Sequence, residues 1–200
     1  MSVDTGDVDL VGEAVAENLA RTAVFAALMG AFAFVSFPYP LSPGPVTLQV
    51  LGVFLAGIML GPVWGPVSII LYLLAGAVGA PVFEGASAGL GHLFGPTVGY
   101  LFSFPIAAFV IGVVVHGGFE LDGYRDVSVP RLVAGMVVGT VIIYAFGAAG
   151  LYYVYTTTPD LPNWTVWKAI VSGALVFLPA EALKMAAAVG IVRSEFMAAE

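Results

Sequence analysis

The feature that most constrains this chain is a run of 62 residues, Thr22–Phe83, that contains no Asp, Glu, Lys or Arg. A second uncharged run covers Gly85–Phe119 and a third covers Leu132–Pro159. A membrane-spanning helix needs about 20 consecutive apolar residues, so the first run alone could hold three short spans. Barrel strands would show alternation over about ten residues, which is absent here. The pattern therefore predicts an all-α, multi-pass protein of the cell membrane, with the lipid bilayer as its surroundings.

The composition excludes several other classes of protein. Hydrophobic residues make up 60% of the chain and charged residues 10%, against about 45–50% and about 25% in a soluble domain. Disorder requires low hydrophobicity and high charge, which is the opposite composition. The net charge of −7 argues against nucleic acid as a partner, because nucleic-acid binding needs a basic surface. The chain has no cysteine and two histidines, so we expect no metal site and no cofactor.

Proline and glycine residues divide the uncharged runs into six predicted transmembrane helices. We expect residues 1–17 to form an acidic cytoplasmic tail without a signal peptide, and residues 18–200 to form a single six-helix membrane domain. The six predicted spans are Asn18–Phe37, Val46–Leu60, Val63–Ala80, Thr97–His116, Pro130–Tyr155 and Trp164–Val192. Pro179 interrupts the last of them.

The basic residues predict the orientation of these spans. Arginines are more frequent on the cytoplasmic side of membrane proteins. If the N-terminus is cytoplasmic, Arg21, Arg125, Arg131 and Arg193 all lie on that side, and only Lys168 lies near an outer loop. The sequence therefore predicts that both termini are cytoplasmic.

Glu181 and Lys184 are the ionisable residues that stand in the most apolar surroundings. Each charge near the bilayer centre costs about 2.5–3.5 kcal/mol, so some interaction must offset that cost. Their spacing of three places them on one face of a helix that Pro179 can begin. One interpretation is a ligand site in which Lys184 meets an anion and Glu181 accepts N–H donors. The alternative is a pair that only neutralises itself or reaches the interface.

Two other features leave alternatives open. The Gln49 amide, at the predicted outer start of the second span, could hydrogen-bond a ligand or cap neighbouring backbone. Ala23, Ala27 and Ala31 form a stripe of small residues that lets another helix approach closely. That helix could belong to this chain or to a separate subunit.

The segment Gly85-Ala-Ser87-Ala-Gly89 matches the G-x-S-x-G pattern of serine hydrolases. That motif requires a strand, a turn and a helix in an α/β sheet, which the sequence does not predict. An intramembrane serine hydrolase using Ser87, with His92 or His116 as the base, is therefore a remote alternative. The chain also lacks the Gly-Lys dipeptide of a P-loop, so ATP-driven transport would need a separate ATPase subunit.

Several segments of the chain resemble the BioY family, the biotin-binding S subunits of energy-coupling factor (ECF) transporters. The similar segments follow the family's order along nearly the whole chain, and they are Pro45-Val-Thr-Leu-Gln49, Leu55-Ala-Gly-Ile-Met-Leu-Gly61-Pro, Leu74-Ala-Gly-Ala-Val-Gly79-Ala-Pro81-Val-Phe83, Gly95-Pro-Thr-Val-Gly-Tyr100-Leu, Pro105-Ile-Ala-Ala-Phe-Val-Ile-Gly112 and Phe177-Leu-Pro-Ala-Glu181-Ala-Leu-Lys184.

The resemblance implies a substrate-capture subunit for biotin uptake rather than an enzyme. It implies an outward-facing pocket in which Glu181 and Lys184 contact biotin. We predict Gln49, Glu84 and Tyr100 as the remaining ligand-binding residues. It also implies partners, namely a membrane coupling subunit and two ATPases. The alanine stripe Ala23, Ala27 and Ala31 would dock on the coupling subunit.

The chain departs from the family at two positions. The family usually has Asp where Glu181 stands and a small residue where Val98 stands. The same scaffold could therefore bind another small vitamin-like ligand, with Glu181 altering the fit. The segments Leu41–Pro45 and Gly85–Gly95 are candidate gating loops.

Overall fold

The structure is a computed structural model, and it describes residues 12–121 and 123–198. Helices form most of it, joined by short 3-10 turns and one two-stranded β-ribbon. The strands are β1 (Ser36–Phe37) and β2 (Val46–Thr47), which pair antiparallel. The helices are α1 (Glu13–Phe34), α2 (Gln49–Ala77), α3 (Val98–His116), α4 (Val129–Thr157), α5 (Val166–Gly173) and α6 (Leu178–Ala198).

Five helical stretches within the described ranges are long and apolar enough to cross a membrane. They are Val15–Phe34, Gln49–Ala77, Val98–His116, Val129–Thr157 and Val166–Ser194. The prediction of a multi-pass helical membrane protein is thus confirmed. The count of six spans is not, because the predicted second and third spans fall within the single stretch α2.

α2 contains a sharp break at the predicted Gly61-Pro62 turn. Gly61 has φ +73° and ψ −170°, a conformation that glycine adopts far more easily than other residues. A Cβ placed on Gly65 would lie 2.8 Å from the carbonyl oxygen of Ala56, whereas nine residues of continuous helix would separate them by about 13 Å. The chain therefore turns back on itself, and α2 is a hairpin of two antiparallel arms, residues 49–60 and 62–77.

His116 closes this turn from the end of α3. Pro62 has no N–H, so the Ile58 carbonyl four residues earlier loses its helical donor. The Nε2 atom of His116 lies 3.0 Å from that oxygen and donates to it, since a carbonyl only accepts. Gly112 lets α3 come this close, because a Cβ there would lie 2.5 Å from the Pro62 nitrogen.

The α2 hairpin lies at the centre of the molecule, between α1 on one side and α3 on the other, and α4 packs against α3. Large side chains fill the interfaces, and the fully buried ones include Phe54, Ile58, Ile111, Met136 and Ile143. At the end of the molecule that holds the Gly61 turn, two arginines bind backbone carbonyls. Arg131 donates to Val114, and Arg193 donates to Arg125 and Val127.

Several predicted boundaries were wrong by a few residues. α1 ends at Phe34 rather than Phe37, and α2 starts at Gln49 rather than Val46, because β1 and β2 pair at those positions. A small β-ribbon therefore qualifies the all-α prediction. α1 already begins at Glu13, within the predicted tail 1–17, and residues 1–11 of that tail lie outside the described part of the chain.

The final predicted span is divided. α5 ends at Gly173, a 3-10 turn covers Leu175–Phe177, and α6 follows. Pro179 and Glu181 both lie in the first turn of α6, as predicted.

Candidate ligand-binding site

A cavity lies at the end of the molecule opposite the Gly61 turn. Its empty volume is about 690 Å³, which includes solvent space at its open mouth. The start of α2, the start of α3, the later part of α4 and the start of α6 surround it, together with the connections 35–48 and 78–97. Its lining residues are Gly44, Pro45, Val46, Thr47, Gln49, Val50, Glu84, His92, Thr97, Tyr100, Leu101, Phe104, Tyr144, Leu151, Phe177 and Lys184.

Lys184 is the cationic residue of this lining. Its Nζ donates to Oε1 of Glu181 at 2.6 Å, so the two predicted partners do form an ion pair. Lys184 is 7% exposed and Glu181 1% exposed. Both charged side chains are therefore buried within the protein, where each is the other's partner.

Glu181 lies behind Lys184 rather than in the cavity wall. Its Oε1 also accepts the hydroxyl hydrogen of Tyr144 at 2.7 Å. Its Oε2 is buried and has no hydrogen-bond partner in the described part of the chain. Because the first turn of a helix favours negative charge, the α6 N-terminus also stabilises this carboxylate.

Aromatic side chains form the wall beside the ion pair. Tyr144 stacks on Phe177 with ring centroids 5.7 Å apart, and it meets Tyr100 edge to face at 5.9 Å. The Tyr100 hydroxyl donates to the Gly173 carbonyl at 2.5 Å, which ties α3 to the end of α5. Gly147 makes room for Tyr100, since a Cβ there would overlap the ring. Such a surface suits a flat apolar ligand with a few polar groups.

Gln49 lines the cavity, but both ends of its amide have partners within the protein. Its Nε2 donates to the Tyr72 hydroxyl at 2.8 Å, and its Oε1 accepts from Thr47 Oγ1 at 3.0 Å. Both partners are side-chain hydroxyls rather than neighbouring backbone. An amide nitrogen has two hydrogens and its oxygen two lone pairs, so one of each remains for a ligand.

The connection 78–97 contributes Glu84 and His92 to the cavity. The Glu84 carboxylate accepts from Ser36 Oγ at 3.3 Å, which joins this connection to β1. The structure thus brings four of the five predicted ligand-binding residues, Gln49, Glu84, Tyr100 and Lys184, into one cavity wall, with Glu181 directly behind.

The hydrolase alternative finds no support in this geometry. Ser87 Oγ lies 2.9 Å from His92 Nδ1, but its hydroxyl hydrogen goes to the Glu84 carbonyl at 2.6 Å. Ser87 follows a 3-10 turn, not a strand. His116, the other proposed base, binds the Ile58 carbonyl in the α2 hairpin.

The alanine stripe faces outward. Ala23, Ala27 and Ala31 are all exposed along α1. No helix of the described chain covers them, so the interpretation that the stripe packs within this chain is wrong.

Sequence reasoning missed two residues of the site, Tyr144 and Phe177, as ligand-facing groups. Tyr144 lies in a long uncharged helix in which no local pattern distinguishes it from other apolar positions. Phe177 is part of one of the segments that resemble the family, but only the 3-10 turn Leu175–Phe177 shows that it lines the cavity.

Comparisons with known proteins agree on one family. Residues 5–199 match the model of the BioY family. The chain is 40% identical over 139 residues to the biotin transporter BioY of Thermotoga maritima, and the matched stretch covers 69% of this chain and 76% of that protein. It is 37% identical over 174 residues to the biotin transporter BioY of Rhodobacter capsulatus, covering 84% and 87%. A probable biotin transporter BioY of Pyrococcus horikoshii is 46% identical over 98 residues, covering 49% of this chain and 59% of that protein.

A solved structure shares the fold. The crystal structure at 2.1 Å of the S-component for biotin from an ECF-type ABC transporter superposes with a TM-score of 0.76, and 94% of each chain is covered at 24% identity. The relatives are named as transporters, in agreement with the prediction of a transport subunit rather than an enzyme. The family model spans nearly all of the sequence, and the chain belongs to the BioY family.

Proposed function

We propose that this chain is the biotin-capture S component of an ECF-type transporter. Two of its relatives are named biotin transporters and the superposed structure is an S-component for biotin, which supports this proposal. The observation that carries it is the buried Lys184–Glu181 pair at the wall of an aromatic cavity. Charges at membrane depth are costly and usually serve a function.

The chemistry of biotin fits this cavity. Biotin has an apolar bicycle, a ureido group with two N–H donors and one acceptor, and a carboxylate tail. Tyr100, Tyr144 and Phe177 offer flat apolar surfaces to the bicycle. Lys184 offers a cation for an oxygen of the ligand. We infer that Glu181 takes part in ligand binding by holding Lys184 in place, since it pairs with Lys184 from behind the cavity wall.

We also propose that the chain crosses the membrane six times, with both termini cytoplasmic. The reversal at Gly61 supports counting the arms of α2 as two spans. Arg131 and Arg193 lie at the same end of the molecule as this reversal, in agreement with a cytoplasmic location for that end. The cavity, at the opposite end, then opens outward.

Transport by this chain requires an energy source that its sequence does not supply. We propose that a membrane coupling subunit and two ATPases provide it. The exposed stripe Ala23, Ala27 and Ala31 on α1 is the proposed docking face, because small residues let a second helix approach closely in lipid.

The test is calorimetry of biotin binding to the purified protein in detergent. We expect Lys184→Ala to weaken binding by about 30-fold or more, about 2 kcal/mol, because it removes a buried charge partner. Lys168→Ala is the matched control, since the other lysine of the chain is exposed and lies outside the cavity. Equal affinities for the parent and Lys184→Ala would contradict the site.

Competition experiments separate biotin from other ligands. We expect desthiobiotin to compete with biotin, and thiamine and riboflavin to fail. If biotin does not bind and one of the other vitamins does, the scaffold serves a different ligand and the proposal is wrong.

A further inference from the structure

His92 is a cavity-lining residue that the binding site described above does not use. It lies on the 3-10 turn Leu90–Phe94, in the connection between α2 and α3. One ring face stacks on Phe83, with centroids 4.9 Å apart and planes 14° from parallel. Because Phe83 covers one ring face and Ser87 contacts Nδ1, we infer that the opposite face and the Nε2 edge are the part of the ring that lines the cavity.

The position of this ring is fixed by a chain of contacts that reaches the first arm of α2. Phe83 is fully buried and meets the Tyr72 ring edge to face at 5.6 Å. Gly76 accommodates Phe83, since a Cβ there would overlap that ring. Tyr72 in turn accepts from Gln49 in the cavity wall. His92 is therefore held in one orientation rather than free on a loop.

The hydrogen bonds of Ser87 assign the tautomer of His92. A serine hydroxyl has one hydrogen, and it points to the Glu84 carbonyl at 2.6 Å. The 2.9 Å contact between Ser87 Oγ and His92 Nδ1 is then a hydrogen bond only if Nδ1 carries the hydrogen. A neutral ring with Nδ1–H has a lone pair on Nε2, and that atom has no partner among residues 12–121 and 123–198.

His92 Nε2 and the Glu84 carboxylate are two acceptors. His92 and Glu84, the residues that carry these two acceptors, both line the loop side of the cavity, while the cation Lys184 lies on the α6 side. Glu181, the predicted acceptor for ligand N–H groups, does not line the cavity. A ligand with N–H donors thus finds acceptors on the loop side that the ion pair does not supply.

We propose that His92 is a ligand-contacting residue, whose Nε2 accepts a hydrogen bond from a ring N–H of the ligand. The class of ligand is a cyclic urea or amide, and the inference rests on the proposed biotin function. It adds a specificity residue, because a ligand without an N–H at this point leaves the Nε2 lone pair unpaired in a partly buried site.

The experiment measures binding of biotin and of biotinamide, whose carboxylate is replaced by a neutral amide, to three variants by calorimetry. His92→Phe keeps the stack on Phe83 and removes both ring nitrogens. His92→Gln replaces the acceptor with a carboxamide oxygen. Leu90→Ala is the control, because Leu90 is in the same turn, is 63% exposed and lies outside the cavity.

We expect His92→Phe to weaken both ligands equally, by about fivefold to tenfold, as for the loss of one hydrogen bond. His92→Gln should bind both more tightly than His92→Phe, and Leu90→Ala should bind as the parent does. Unchanged affinity in His92→Phe overturns the inference. A loss for biotin that disappears with biotinamide also overturns it, because His92 would then meet the carboxylate. A parent protein that binds neither ligand refutes the proposed function, and this inference with it.

Discussion

The buried ion pair allows stability and binding to be separated by a double-mutant cycle. Glu181→Gln removes the carboxylate charge but keeps an oxygen for the Tyr144 hydroxyl. The Lys184 ammonium, 7% exposed, is then left with no charged partner in the described chain. Removing one partner of a buried pair costs about 3–5 kcal/mol, which corresponds to a fall of about 6–20 °C in Tm for a chain of this size.

The reverse change has a smaller expected effect. Lys184→Met leaves the Glu181 carboxylate, which still accepts the Tyr144 hydroxyl hydrogen. We therefore expect a loss of stability smaller than that of Glu181→Gln. The double variant has no unpaired charge, and replacing a whole buried pair by neutral groups is often close to neutral for stability. Its stability should return to within about 1–2 kcal/mol of the parent.

Binding should not return with stability. The double variant has lost the cation in the cavity wall, so its affinity for biotin should stay at least about 30-fold below that of the parent. The assays are thermal unfolding of ligand-free protein in one detergent and calorimetry with biotin. If the two single effects simply add in the double variant, the charges are not coupled. If the double variant binds biotin as the parent does, the pair only neutralises itself.

Three further predictions concern the scaffold and the docking face. Gly61→Ala should lower the free energy of unfolding by about 1–3 kcal/mol, because φ is +73° there, and thermal unfolding should show no loss for the exposed helical control Gly190→Ala. His116→Phe should cost about 1–3 kcal/mol by removing the donor to the Ile58 carbonyl; an unchanged Tm would contradict that role. Ala27→Trp should abolish co-purification with a coupling subunit while leaving biotin affinity unchanged, and retained co-purification would place the docking face elsewhere.

The membrane class and most helices could be predicted from the sequence because charged residues are costly in lipid, so that long uncharged runs mark the segments that span the membrane. It also located the break at Pro179 and the turn at Gly61-Pro62, where backbone chemistry is local. It misplaced the end of α1 and the start of α2 because Ser36–Phe37 and Val46–Thr47 pair as a β-ribbon across a loop. Strands of two residues are too short to show a recognisable local pattern.

Some of the binding residues could be predicted from the sequence and others could not. Lys184 and Glu181 were predictable because ionised side chains in an apolar run are rare. Tyr144 was not, because its role depends on Glu181, which lies 37 residues later. His116 entered the sequence analysis only as a possible base in the remote hydrolase alternative, because its contact with the Ile58 carbonyl depends on α2 folding back on itself.

The departure at Val98 has a structural explanation. A Cβ placed on Gly150 would lie 3.8 Å from Val98 Cγ1, an ordinary contact distance. The valine is therefore accommodated where α3 approaches a glycine of α4, and it lies outside the lining of the cavity. We expect Val98 to have little influence on the choice of ligand.

The most direct test is an experimental structure of the protein with biotin bound. We predict biotin in the cavity between α2, α3, α4 and α6, with one of its oxygens within about 3.2 Å of Lys184 Nζ. Biotin bound elsewhere, or a bound biotin that leaves the Lys184–Glu181 pair without any contact to it, would contradict the assignment of these charges to ligand capture.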